Sequence, residues 1–160
     1  MSTFIAPFAV RAGEGTRINT PVPGSHVDIK TDSRNTNGAL TVMEFQQAPR
    51  TGPPLHIHTR EDEVWWVLEG SFRFKAGDAM FGLSEGDMAF GPRGTPHCYQ
   101  NLGDAPGRLL VITAPAGVEQ FFADFAERPP GPADLEVLNA VALASGVEFV
   151  GPPLAVSDPL

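Results

Sequence analysis

Between Leu40 and Ala114 each apolar run is cut by a glycine, a proline or a polar turn before it reaches the length of an ordinary helix. The runs are Leu40 to Gln46, Val64 to Leu68, Ser71 to Lys75, Ala79 to Leu83, Met88 to Phe90, His97 to Asn101 and Arg108 to Thr113. Within a run the side chains alternate: Met43 and Phe45 fall on one face, Val42 and Glu44 on the other, which is the period of a half-buried strand. The chain has 17 glycines and 16 prolines in 160 residues, so about one position in five resists a helix interior. Its 42% hydrophobic content is enough to bury a core rather than stay disordered. The expectation is one all-β domain, a sandwich or barrel of antiparallel strands.

Residues 1–38 read as N-terminal strands joined by turns, with Phe4-Ile5 and His26 to Ile29 as their apolar pieces, and residues 39–114 as the barrel core. Residues 115–160 read as a helical tail. Val118, Phe121, Phe122 and Phe125 fall at i, i+3, i+4 and i+7, one stripe of a helix between Pro115 and Pro129-Pro130. A second helix is expected from Pro132 to Ser145, striped by Leu135, Leu138 and Ala142 and stopped by Gly146. Arg108 to Ala114 is apolar on both faces, so it calls for a second covering layer, from the tail or from a partner chain.

A net charge of −8 repels phosphate backbones and anionic lipid, so neither nucleic acid nor a membrane is an expected partner. A single cysteine, Cys98, excludes an intramolecular disulfide framework and a Cys-rich zinc site, and fits a reducing compartment. The N-terminus lacks a basic segment leading into an apolar core, and nowhere do about 18 apolar residues run together. The reading is a cytoplasmic protein.

Chemistry gathers between residues 56 and 97. His56 and His58 are two apart, so on a strand both imidazoles leave the same face. Thr59 to Asp62 is a polar turn; Glu63 opens the next strand and can face back, and His97 opens a later one. Three imidazoles and a carboxylate suit Fe, Mn, Ni or Co, with Zn and Cu as further possibilities. His26 has no such neighbours and reads as an ordinary polar residue.

Two segments carry a family resemblance. His56-Ile57-His58, four residues, Glu63, six residues, Gly70 resembles the first motif of the cupins; Gly86, five residues, Pro92-Arg93-Gly94, two residues, His97, three residues, Asn101 resembles their second. One position departs: the family pattern opens with glycine six residues before the first histidine, where this chain has Arg50, and Gly52 two residues on suggests a shifted loop. The resemblance implies a conical jelly-roll β-barrel holding one divalent metal through His56, His58, Glu63 and His97.

Strand parity points Trp65 inward with Glu63 and Tyr99 inward with His97, and sends Cys98 the other way. Trp65, Phe74, Tyr99, Met43 and Phe121 are the expected lining of an apolar substrate pocket beside the metal. The segments around Glu61-Asp62-Glu63 and Val147 to Pro153 are similar to the single-domain, quercetinase-like cupins. That similarity implies a small aromatic or enol substrate opened with O2, with Glu63 as ligand and base. Non-oxidative cyclase, isomerase or decarboxylase chemistry and a non-catalytic binding protein are the alternatives, and a homodimer is expected.

Overall fold

Alternation settles which side of each strand meets the core. On the strand Gly107–Ala114 the residues Gly107, Leu109, Val111 and Thr113 are buried while Arg108, Leu110 and Ile112 between them are not. The structure, a computed structural model, describes residues 4–129 and 134–160. In chain order it forms β1 (Thr16–Asn19), β2 (His26–Thr31), the single turn α1 (Ser33–Thr36), β3 (Thr41–Gln47), β4 (Pro54–His58), β5 (Asp62–Glu69) and β6 (Ser71–Ala76). There follow β7 (Ala79–Ser84), β8 (Met88–Gly91), β9 (His97–Asn101), β10 (Gly107–Ala114), α2 (Glu119–Glu127), α3 (Leu135–Ala142), β11 (Val147–Pro153) and α4 (Leu154–Ser157).

The strands make two antiparallel sheets, one in the order β1-β2-β3-β10-β5-β8 and one in the order β11-β4-β9-β6-β7. Their inner faces share one core, in which Val27, Met43, Trp65, Val67, Phe72, Phe74, Leu109 and Val111 are almost wholly buried. Each such side chain stabilises the barrel by about 1.5–3 kcal/mol of transfer free energy. The architecture is the expected jelly roll with helices at its C-terminal end.

The α2 stripe is as expected: Val118, Phe121 and Phe122 are buried and Phe125 packs against them. The second helix begins at Leu135, its first turn capped by Asp134, whose side chain accepts from the Val137 amide at 3.0 Å. The start expected at Pro132 lies outside the described residues. After a 3₁₀ turn, Leu143–Ser145, the chain stops at Gly146 in the left-handed conformation (φ 74°).

Three expectations change. Residues 4–15 form no strand, and Phe4 and Phe8 are exposed, because the first ladder begins only at Thr16. The helices of the tail pack chiefly toward β1 and β11 rather than β10. The tail is also not purely helical, since β11 pairs with β4 and extends the second sheet. Val147 and Phe149 are buried while Glu148 and Val150 are exposed, an alternation present in the sequence but masked by its place after a helix.

The Arg50 departure has a local explanation. Arg50 itself takes the left-handed conformation (φ 60°) that a glycine would adopt freely. That costs about 1–2 kcal/mol, offset in part by an exposed ion pair to Asp104 at 2.8 Å. Gly52 meets a different demand, close approach. A Cβ there would lie 1.7 Å from the Tyr99 carbonyl oxygen, so the loop lies directly on β9.

Candidate metal centre

Strand pairing brings the four residues together from both sheets. His56 and His58 share the inner face of β4, and His56 stands opposite His97 where β4 pairs with β9. Glu63 comes from β5 in the facing sheet. The ring centroids of His56 and His97 are 4.5 Å apart, and His58 is 5.2 Å from each. Glu63 Oε2 lies 3.1 Å from His58 Nε2 and 3.0 Å from His97 Nε2. All four residues are buried.

The outward nitrogens orient the rings. His56 Nδ1 donates to the Pro54 carbonyl at 2.7 Å and His97 Nδ1 to the Thr95 carbonyl at 2.9 Å, which leaves each Nε2 lone pair aimed inward. Glu63 Oε2 and His97 Nε2 are buried without a hydrogen-bond partner among the described residues. One candidate donor atom from each of the four residues falls within 4.8 Å of the others. Ligands about 2.2 Å from a shared ion lie at most about 4.4 Å apart, so the cluster could hold a divalent metal with only slight contraction.

Burial works against a charge on His58, but Glu63 and Glu61 on either side outweigh it and lift its pKa to about 9. Burial also opposes ionisation of Glu63, and His58 and His97 overcome that and hold its pKa well below the usual carboxylate range. Burial and then the neighbouring His97 and His58 push His56 down to about 3, so it stays neutral. These directions favour a charged pair between Glu63 and His58, whose facing atoms are 3.1 Å apart.

Residues 43–113 match the family model described as Cupin domain, a stretch that spans β3 to β10 and all four clustered residues. Over this stretch the chain is similar to a cupin domain. A quercetin 2,3-dioxygenase of Bacillus subtilis is 28% identical to this chain over 131 residues, covering 78% of the chain and 38% of that protein. The chain spans less than half the length of the curated relatives it matches. Among solved structures, KdgF from Halomonas sp. superposes with a TM-score of 0.61 at 19% identity, covering 69% of this chain and 94% of that one. An RmlC-like cupin from Shewanella frigidimarina gives 0.57 at 23%, covering 69% and 93%. Both show the shared fold.

The barrel opens beside the cluster into a cavity of about 650 Å³ of empty space, its open mouth included, walled mainly by apolar side chains. Met43, Tyr99 and Phe121 line it, as do His56, His58 and Glu63. Trp65 and Phe74, expected on the wall, lie behind it: Trp65 packs edge-on against His97 at 4.9 Å and against Phe74 at 5.5 Å, which holds the histidine from the rear. His97 also sits off the wall. Cys98 is buried on the opposite face of β9, and burial pushes its thiol up to about 11, which leaves it inert.

Several wall residues were not anticipated. Phe149 of β11 lies over His56 at 5.6 Å and meets Phe121 at the same distance. Gln47 accepts from the Tyr99 hydroxyl at 3.3 Å, a polar spot on an otherwise apolar wall. Phe149 was legible only as one alternating position in a tail segment. Nothing in the local sequence marks Gln47.

Proposed function

We propose that this cupin is a metal-dependent enzyme, a dioxygenase that opens an aromatic enol such as a flavonol with O2. One observation carries the reading: Glu63 Oε2, buried, faces the inward nitrogens of His58 and His97 beside a cavity walled by Phe121, Phe149 and Met43. Similarity to a quercetin 2,3-dioxygenase supports it. A divalent transition metal held by His56, His58, Glu63 and His97 would acidify a chelating enol and, where redox-active, couple it to O2. Glu63, kept ionised by the two imidazoles beside it, takes the enol proton at Oε2 once the enol is acidified. Phe121 and Phe149 flank a flat ring and exclude water, and the Gln47–Tyr99 pair offers a hydrogen bond to a polar edge of the substrate.

The test is an oxygen-electrode panel of flavonols and 1,3-dicarbonyls with protein loaded with Fe, Mn, Co or Ni. Uptake of O2 matched to substrate loss is expected. Turnover that proceeds equally without oxygen overturns the dioxygenase in favour of cyclase or isomerase chemistry, and binding without turnover overturns enzyme function altogether.

Metal binding should also depend on pH in a set direction. His58, with its pKa raised to about 9, must give up its proton to a cation, whereas His56 is already neutral. Affinity for Co(II) is therefore expected to rise about tenfold per pH unit through neutrality and to level off near pH 9. Competition titrations at several pH values measure it; a flat profile contradicts the Glu63–His58 ion pair.

We also propose that a second copy covers the outer face of the first sheet. Cross-strand register lines up Val42, Ile112, Val64 and Phe90 in one row and Leu110, Trp66 and Met88 in the next. Trp66, Met88 and Phe90 are 47%, 47% and 55% exposed, a contiguous apolar patch of the kind that marks an interface. Light scattering should give a dimer, and Trp66→Glu a monomer.

A further inference from the structure

Each histidine of the cluster turns its outward nitrogen to something, and the three partners differ. His56 and His97 each use a backbone carbonyl two residues earlier, Pro54 and Thr95. His58 does not: its Nδ1 meets no backbone carbonyl among the described residues. Its Nδ1 instead faces the Glu61 carboxylate, with Oε2 at 3.5 Å. Both atoms are buried and neither has a hydrogen-bond partner among the described residues. Glu61 is 1% exposed, although it sits in the polar turn between β4 and β5.

A carboxylate in such a place is costly unless it serves a partner. The turn is built to hold it there. Thr59 donates through its amide and its hydroxyl to the Gly146 carbonyl, each at 2.9 Å, and Arg60 donates to the Ala144 carbonyl at 2.9 Å. On the other side Asp62 accepts from the Arg93 amide and guanidinium. Between these anchors the Glu61 side chain is directed toward His58. From across the cleft Gly117 approaches so closely that a Cβ would stand 3.2 Å from Glu61 Oε1.

We propose that Glu61 is a positioning residue for metal binding: its carboxylate accepts the His58 Nδ1 hydrogen, fixes the ring with Nε2 inward, and makes His58 the strongest donor of the three. A carboxylate behind one imidazole and neutral carbonyls behind the other two give the centre a built-in asymmetry. The proposal rests on the reading of the cluster as a metal centre, and Co(II) affinity of the full chain, measured by competition with a chelator, separates the two. Absence of Co(II) binding by the parent protein overturns the metal reading itself.

With binding established, Glu61→Ala is expected to weaken Co(II) affinity 10- to 100-fold, and Glu61→Gln less, because the amide oxygen still accepts the same hydrogen bond. In a His58→Ala background the same Glu61 substitutions should cost nothing further, since the group through which they act is gone. The visible absorption of the Co(II) protein should change with Glu61→Ala and return toward the parent with Glu61→Gln. Unchanged affinity in Glu61→Ala, or an equal loss with and without His58, overturns the proposal. Where Glu61→Ala does not fold, Glu61→Gln in the two backgrounds decides: a several-fold loss confined to the His58 protein supports it, and any other pattern overturns it.

Discussion

Glu63→Gln is expected to lower turnover about 10²- to 10⁴-fold, the span that a positioned general base supplies. The amide keeps the shape of the side chain but loses the charge that sits 3.0 and 3.1 Å from two imidazole nitrogens, and it cannot take a proton from an enol. Steady-state oxygen uptake measures the effect, with substrate affinity followed separately by fluorescence quenching. An enzyme should lose most of kcat while still binding its substrate. A protein that only binds should keep its affinity and show no rate to lose, and that outcome would overturn the catalytic role given to Glu63.

Gly52→Ala should be the most damaging single methyl group in the barrel. The added Cβ would stand 1.7 Å from the Tyr99 carbonyl oxygen, 2.8 Å from the carbonyl carbon and 3.1 Å from Gln100 Cα. All three are backbone atoms, so no side chain can rotate away and the loop or β9 must move. Overpacking of this kind costs about 1–3 kcal/mol, and the lack of any soft neighbour places this case at the upper end or beyond. Because Tyr99 lies two residues from His97 on β9, the displacement also reaches the four-residue cluster. A urea titration should show a midpoint lowered with unchanged slope, together with weaker Co(II) binding. Parent-like stability would mean that the loop stands further from β9 than the structure places it.

The strands and the four clustered residues were legible for the same reason. Alternation over Leu40 to Gln46 or Arg108 to Thr113 is written in consecutive residues, and so are the His-x-His spacing and the turn that carries Glu63 back. Helix α2 announced itself through the spacing of Val118, Phe121, Phe122 and Phe125. Other features depended on distant neighbours. Val147 to Val150 alternates as clearly as β3 does, yet only pairing with β4 makes it a strand rather than the end of a helical tail. Trp65 has the parity of an inward residue, and inward includes both the cavity wall and the layer behind His97; packing against Phe74 decides between them.

Glu61 marks that boundary most sharply. In the sequence it is one of four polar residues in a turn, and such residues usually face water. In the barrel, Gly146, Ala144 and Arg93, remote along the chain, pin the turn from both sides and bury the carboxylate behind His58. The sequence alone therefore determined the all-β architecture and the residues that converge at its centre, because side-chain period and motif spacing are local properties of the chain. The tertiary structure decided what lies one layer out, namely the carboxylate behind His58, the ring over His56 and the Gly52 contact with β9. Burial and partnership there are set by segments far apart in the chain, and no local pattern encodes which of them will meet.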